Sequence, residues 1–162
     1  MPASRSVPAL ILAASIALIG GALYFQYIIG LKPCELCLAE RWPYYLAIAA
    51  AILAFASPNA ASWFTGLCVL LFLGGTGLAA YHVGVEQHWI AGPTACTGSS
   101  AIAAAKTPDE LRAILEYSPT RCDEVQWSLF GISLAGWNLL ASLGLLVFTS
   151  LGLRGIVKEG KP

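Results

Sequence analysis

The sequence predicts an all-α membrane protein, a bundle of four transmembrane helices that forms a single domain. The 162 residues are 57% hydrophobic and 11% charged. Soluble domains carry roughly 25% charged residues, so this chain is unusually poor in charge. The mean hydropathy is +0.71. Several long stretches without charge also approach the ~20 apolar residues that a helix needs to cross a bilayer.

The four predicted spans cover residues 8–30, 38–56, 61–84 and 129–151. No charged residue lies between Ser6 and Leu31. This stretch exceeds the roughly 7–15 apolar residues of a signal peptide, so we expect the first span to be retained. The segment 57–59, Ser-Pro-Asn, separates the second span from the third. The fourth span falls within the uncharged stretch 125–153.

The second span is short. A helix from Trp42 to Ala56 would be about 22 Å long, less than the ~30 Å thickness of the hydrocarbon core. We therefore expect the helix to begin near Leu36 or Cys37, which places Cys37 in its first turn. Pro43 cannot donate a backbone hydrogen bond and disfavours helix at the residue before it. Either the helix kinks there or a short turn precedes a restart at Pro43.

Four spans place both termini on one side of the membrane and the loops 31–37 and 85–128 on the other. Within the second loop, Thr107-Pro108-Asp109-Glu110 has the pattern of a helix N-terminus. Apolar residues follow at helical spacing, so we expect a short amphipathic helix on the membrane surface. Lysine and arginine are almost evenly divided between the two sides and do not fix the orientation. Five aromatic residues are expected at the interfaces: Trp42, Tyr44, Tyr45, Trp89 and Trp127.

Four of the five cysteines lie in the polar stretches and on one side of the membrane: Cys34, Cys37, Cys96 and Cys122. Cys68 lies within an apolar run, where a cysteine behaves as a small hydrophobic residue. Paired cysteines persist in oxidising compartments such as the bacterial periplasm. The sequence therefore predicts an inner-membrane protein with periplasmic loops and cytoplasmic termini.

The Cys34-Glu35-Leu36-Cys37 motif is compatible with half of a zinc site, a redox pair or a structural disulfide. A four-cysteine zinc site would show a second close pair. Cys96 and Cys122 are instead separated by 25 residues, so we expect no metal and favour redox chemistry. The formal net charge of +0 gives no basic surface for nucleic acid.

The surroundings expected for Cys37 favour a reactive thiolate. A position in the first turn of a helix stabilises a negative charge on sulfur. Arg41 follows four residues later on the same helix face, where its guanidinium would stabilise the thiolate and donate to a carbonyl oxygen of a planar ligand. His82 and His88, at the end of the third span, are further candidates for the site, because ionisable groups near membrane depth are often functional.

The stretch Cys34-Glu35-Leu36-Cys37-Leu38-Ala39-Glu40-Arg41 resembles the CxxC-x-x-E-R signature of the DsbB family of membrane thiol oxidases. The spacing from Cys96 to Cys122, followed by Gln126-Trp127, resembles the second loop of that family. The resemblance extends over nearly the whole chain, including the four spans. The DsbA–DsbB–quinone relay is a known example of a periplasm that is kept oxidising kinetically.

The resemblance implies a role for each cysteine of the loops. A reduced periplasmic DsbA-like partner would attack Cys96, which is paired with Cys122, and the electrons would then pass to Cys34 and Cys37. Cys37 would lie beside a quinone, either ubiquinone or menaquinone, and Arg41 would contact it. The family also has a histidine near the end of the third span, which would be His82 or His88 here.

Two alternatives remain at the level of sequence. The first is a quinone-linked thiol enzyme of the vitamin K epoxide reductase type, although in that family the CxxC next to the quinone lies in a late span. The second is a non-enzymatic membrane scaffold whose disulfides only connect its loops. A structural disulfide would resist reduction by glutathione, whereas a catalytic one would exchange readily.

Overall fold

The computed structural model describes residues 2–93, 107–110 and 120–160. Within these residues, four helical segments are long and apolar enough to cross a membrane. They are Ala3–Tyr27, Glu35–Ala56, Pro58–Glu86 and Leu134–Glu159. The predicted fold class, an all-α membrane protein with four spans, is confirmed.

The two ends of the chain lie together at one end of the bundle. Helix α1 spans Ala3–Tyr27 and the last helix, α5, spans Leu134–Glu159. The carboxylate of Glu159 accepts the backbone N–H of Ala3, with N–O distances of 2.9 and 3.1 Å. Further along, α5 approaches α1 so closely that a Cβ on Gly152 would lie 2.6 Å from Cγ1 of Val7. Small residues allow membrane helices to approach in this way.

The second span consists of two helical pieces. Helix α2 covers Glu35–Ala39, helix α3 covers Arg41–Ala56, and Glu40 lies at the junction. The chain therefore turns before Pro43 and restarts two residues earlier than the restart considered from the sequence. Pro43 falls in the first turn of α3, where a missing N–H leaves no helical hydrogen bond unmade.

Helix α4, Ala61–Glu86, follows α3 after a single 3₁₀ turn at Pro58–Ala60. The predicted break at 57–59 is therefore the tight connection between two antiparallel helices. Cys68 of α4 is completely buried in the apolar core, with its Sγ 3.8 Å from the backbone oxygen of Ala47. This position agrees with its interpretation as a small hydrophobic residue.

A short hairpin precedes α5. Strand β1, Ser128–Leu129, pairs antiparallel with strand β2, Ile132–Ser133. The connecting residues Phe130 and Gly131 both have positive φ, 53° and 77°, as a tight hairpin turn requires. Ser133 then caps α5 by accepting the N–H of Gly136 at 3.0 Å. The last helix therefore begins at 134 rather than at the expected 129.

Only the beginning of the expected amphipathic helix can be compared with the structure. The Thr107 hydroxyl accepts the N–H of Glu110 at 3.2 Å, which is the N-cap contact that the sequence indicates. The apolar residues Leu111, Ile114 and Leu115 lie outside the described residues. The amphipathic helix itself therefore stays a prediction.

Candidate active site

Cys34 and Cys37 lie at the start of the second span, on the side of the bundle away from the chain termini. Cys34 is the N-cap of α2, and its Sγ accepts the N–H of Cys37 at 3.2 Å. The two Sγ atoms are 2.7 Å apart and both cysteines are free. The contact with the Cys37 side chain lowers the pKa of Cys34, and burial opposes this effect only in part. The Cys34 thiol, at the start of the second span, is therefore more acidic than an ordinary cysteine thiol.

The second cysteine region packs directly against the first. Cys122 is disulfide-bonded and 1% exposed, and Cys34 is 2% exposed. These two residues share one buried apolar cluster with Leu36 and Val85. Cys96 lies outside the described residues. The structure thus brings two sequence-predicted cysteines, 88 positions apart (34 to 122), into one packed group.

Residues next to Cys122 form ion pairs in the loop. The Arg121 guanidinium donates to both carboxylate oxygens of Asp123, at 3.0 and 2.7 Å. This interaction lowers the pKa of Asp123 and raises the pKa of Arg121. Arg121 also lies 3.3 Å from Glu124. Its positive charge is therefore directed towards carboxylates of its own loop.

His82 lies between the cysteines and a buried carboxylate. It is 2% exposed, its Nε2 is 3.6 Å from Sγ of Cys34, and its Nδ1 is 2.8 Å from Oε1 of Glu40. A histidine in this position can exchange a proton with the thiol. His88, the other candidate, is exposed beyond the end of α4 with φ 59°. The structure therefore brings His82 to Cys34, whereas His88 lies in solvent and its charge acts on Asp123, the residue after Cys122.

Glu40 belongs to a continuous chain of buried polar groups. Its Oε2 accepts Nδ2 of Asn138 at 2.7 Å, and Oδ1 of Asn138 accepts the hydroxyl of Tyr44 at 2.6 Å. The Tyr44 hydroxyl lies 2.7 Å from Oγ of Ser142. Buried polar groups are costly unless paired, and this chain pairs each of them across α3, α4 and α5.

A cavity of about 520 Å³ adjoins Cys37. Its volume lies within the range of roughly 300–1,000 Å³ that is common for small-molecule sites. Aromatic and aliphatic side chains form most of its wall, and a few polar groups form the remainder. The polar lining residues are Gln26, Glu40, Arg41, Tyr44, His82 and Asn138. Cys37 lines this cavity, whereas Cys34 does not.

Arg41 is fixed at the wall of the cavity by Gln26 of α1. Its NH1 donates to Oε1 of Gln26 at 2.7 Å. A guanidinium carries five N–H donors, so this single bond leaves others for a ligand. Trp127 also lines the cavity and packs against Phe25, with ring centroids 4.8 Å apart. The site thus combines a largely apolar cavity with a cation that is held in place.

The same region also contains a possible set of metal ligands. Donor atoms of Cys34, Cys37 and His82 all lie within 4.8 Å of one another. Structural zinc usually takes four protein ligands, and the described residues supply three in this group.

Several functional candidates were missed from the sequence alone. Glu40 was noticed only as part of a motif, while Gln26 and Asn138 were not considered. Tyr44 was expected at the membrane interface but is buried beside the cavity, and Trp127 lines it too. One signal was present, because Cys37, Glu40, Arg41 and Tyr44 follow the i, i+3, i+4, i+7 spacing of a helix face.

Comparisons with known proteins agree with this architecture. The family model described as Disulfide bond formation protein DsbB matches residues 4–152. A Disulfide bond formation protein B from Hahella chejuensis is 33% identical over 154 residues, covering 89% of this chain and 92% of the relative. Disulfide bond formation protein B 1 from Pseudomonas aeruginosa is 30% identical over 141 residues, 84% of this chain and 86% of the relative.

A third relative, Disulfide bond formation protein B from Methylococcus capsulatus, is 33% identical over 141 residues, 83% of this chain and 85% of the relative. No solved structure matches the chain. The family model covers most of the chain, and the relatives align with it nearly from end to end. This chain therefore belongs to the DsbB family of disulfide bond formation proteins, which are helical membrane thiol oxidases.

Proposed function

We propose that this protein reoxidises a periplasmic DsbA-like dithiol protein and passes the electrons to a membrane quinone. One observation carries the proposal: the two neighbouring sulfur atoms have different surroundings. Cys34 packs with Cys122, and Cys37 lines the cavity beside Arg41. This difference supports exchange of the Cys34 sulfur with the loop and contact of the Cys37 sulfur with an apolar ligand.

The exchange steps follow from this placement. A reduced partner attacks Cys96 and reduces the Cys96–Cys122 disulfide. The Cys122 thiolate then attacks Cys34 in the Cys34–Cys37 disulfide, which forms a Cys34–Cys122 bond and releases Cys37 as a thiolate at the cavity. Attack by Cys96 on Cys122 restores the loop disulfide and leaves Cys34 and Cys37 reduced.

The last step restores the Cys34–Cys37 disulfide. One S–S bond forms, two S–H bonds break, and two electrons and two protons leave the cysteines. A bound quinone supplies the chemistry for accepting both electrons and both protons. Arg41 binds and orients the acceptor, and the apolar wall excludes water from the thiolate.

Energetics favours an external electron acceptor. A DsbA-type couple lies near about −120 mV, whereas structural disulfides typically lie below about −300 mV. Transfer from such a partner to an ordinary disulfide would be uphill by roughly 8 kcal/mol, at about 1.4 kcal/mol for each 30 mV. Removal of the electrons to quinone drives the relay forward.

The chemistry also favours one orientation in the membrane. Disulfides persist in oxidising compartments, so we assign the cysteine end to the periplasmic side of the inner membrane. The termini, which meet at the opposite end of the bundle through Ala3 and Glu159, then lie in the cytoplasm.

The alternatives are less compatible with these observations. The only CxxC of the sequence lies at the start of the second span, not in a late span as in the vitamin K epoxide reductase type. A scaffold with purely structural disulfides would not need a histidine and a buried carboxylate beside two free thiols. Stoichiometric zinc that requires Cys34, Cys37 and His82 would instead favour a metal site.

The proposal is tested with purified protein in lipid, a reduced DsbA-like protein and added quinone. Replacement of Cys37 by Ala should lower quinone-dependent oxidation of the partner by about a hundredfold or more, because the sulfur at the cavity is lost. Cys68→Ala is the matched control, since Cys68 is buried in the core away from the site, and it should keep full activity. Equal turnover of the Cys37→Ala variant and the wild type would exclude the relay.

A further inference from the structure

We propose that Glu40, held in place by Asn138, is a positioning residue that orients His82 so that its Nε2 takes the proton of the Cys34 thiol. This inference deepens the proposed function. Its statement about proton transfer during catalysis rests on that function. It follows from the directions of five polar contacts that lead from Ser142 of α5 to Cys34.

The hydrogen-bond chain has one consistent direction. The Tyr44 hydroxyl donates to Oδ1 of Asn138, which leaves the Asn138 amide nitrogen facing Oε2 of Glu40 at 2.7 Å. An amide NH₂ can only donate, so Oε2 must accept. The Ser142 hydroxyl can in turn donate to Tyr44, which satisfies the far end of the chain. The reverse orientation of the amide would place two oxygen atoms together and would need a proton on Glu40.

The ionised form of Glu40 then fixes the histidine. Oε1 of Glu40 accepts from Nδ1 of His82 at 2.8 Å, so the proton of neutral His82 resides on Nδ1. Its other ring nitrogen, Nε2, carries a lone pair and lies 3.6 Å from Sγ of Cys34. A hydrogen bond on one ring nitrogen commonly sets the role of the other. Cys34 is therefore the donor and His82 the base.

The proton has a defined path when the Cys34–Cys37 bond forms. The S–H bond of Cys34 breaks, its proton moves to Nε2 of His82, and Sγ of Cys34 bonds to Sγ of Cys37. A quinone held in the cavity beside Arg41 would accept the two electrons and the protons of both thiols. Glu40, only 7% exposed, stabilises the imidazolium formed in between, because an opposite charge at 2.8 Å is strongly felt in a buried site.

Nuclear magnetic resonance of ¹⁵N-histidine-labelled protein tests the orientation without turnover. The sequence has only two histidines, so a His88→Gln background leaves His82 as the single signal. The inference predicts that His82 carries its proton on Nδ1 and none on Nε2 at neutral pH. In Asn138→Leu it predicts a mixture of the Nδ1–H and Nε2–H tautomers. Finding the proton on Nε2 of His82 with Asn138 intact would overturn it, whether or not quinone is the acceptor.

Kinetics separate a positioning role from a merely structural one. The ionisable groups that act on His82 are Glu40 and Cys37 from the second span and Glu86 from its own helix, and Cys34 lies against its Nε2. Glu40→Gln removes the charge that stabilises protonated His82. The maximal rate should therefore fall about tenfold or more, and the acidic limb of the pH–rate profile should move to lower pH.

Asn138→Leu keeps the charge and removes only the donor that fixes Glu40. The rate should fall in this variant as well, but its acidic limb should not move to lower pH. Ser150→Ala is the matched control on α5, because among the described residues the Ser150 hydroxyl bonds only to the backbone oxygen of Leu146 in its own helix. If Glu40→Gln lowered the maximal rate but left the acidic limb at the same pH, Glu40 would have only a packing role. This result would refute the proposal.

Discussion

Arg41 illustrates how a single side chain is prepared for a ligand. Its guanidinium is planar and always charged, and the bond to Gln26 at 2.7 Å fixes it at the cavity wall. The remaining donors are suited to a carbonyl oxygen of a ring that lies in the apolar space. A flexible cation would lose more side-chain entropy on binding, so the bond to Gln26 preorganises the site.

Replacing Arg41 with Met should raise the KM for quinone by about tenfold, equivalent to about 1.4 kcal/mol, because the directed donors are lost while most of the apolar stem remains. Steady-state oxidation of the dithiol partner at varied quinone concentration measures this. Arg154→Met, an exposed arginine of α5 near the chain termini, serves as the control and should leave KM unchanged. An unchanged KM in Arg41→Met would remove Arg41 from the binding site.

The individual site residues differ in how far the sequence could identify them. The spacing of Cys34, Cys37 and Arg41 along one short segment is local, so the pattern alone singled them out. The contacts of Glu40 with His82 and Asn138 join residues 42 and 98 positions away. Such contacts depend on how the helices rotate and pack, which one sequence does not specify.

Small residues on two helices contribute to the wall of the cavity. Ala17 and Gly21 lie one turn apart on α1, and Ala135 and Ala141 contribute from α5. Side chains of this size leave space between helices that would otherwise be filled by packing. A Cβ on Gly21 would meet no atom within 4 Å, so this position can carry a larger side chain without disturbing the core.

Gly21→Leu should fill part of the cavity and raise the KM for quinone by about tenfold, or about 1.4 kcal/mol, with little effect on folding. Gly20→Leu is a closely matched control, since Gly20 also meets no atom within 4 Å but does not line the cavity. Titration of quinone in the turnover assay compares the two variants. Equal KM values in Gly20→Leu and Gly21→Leu would show that quinone binds elsewhere.

At the level of helices and strands, charge-free length predicted four spans, but it did not predict their ends. Absence of charge does not distinguish helix from a tight turn, so the hairpin at Ser128–Ser133 was included in the last span. Positive φ at Phe130 and Gly131 is the local feature that distinguishes the hairpin from the helix that follows it. In the second span, Pro43 signalled an interruption, yet the turn occurs at Glu40, where α2 ends and α3 begins.

In the whole molecule, the cysteine residues of the site and the chain termini lie at opposite ends of the bundle. Ala3 and Glu159 meet at one end of the bundle, while Cys34, Cys37 and Cys122 gather at the other. Four spans make this arrangement unavoidable, which is why the sequence predicted it. The proposed relay needs water for thiol exchange and lipid for access of a quinone, and the membrane edge offers both to one small bundle.

The most direct test counts both products of the relay in one reaction. Purified protein in lipid, without oxygen, receives a limiting amount of reduced DsbA-like partner and excess quinone, and the reaction is quenched with acid. Quinol and partner disulfide should appear in a ratio of one to one, and neither should form with the Cys34→Ala variant. Partner disulfide that accumulates without quinol would show that the electrons do not reach a quinone and would contradict the proposed function.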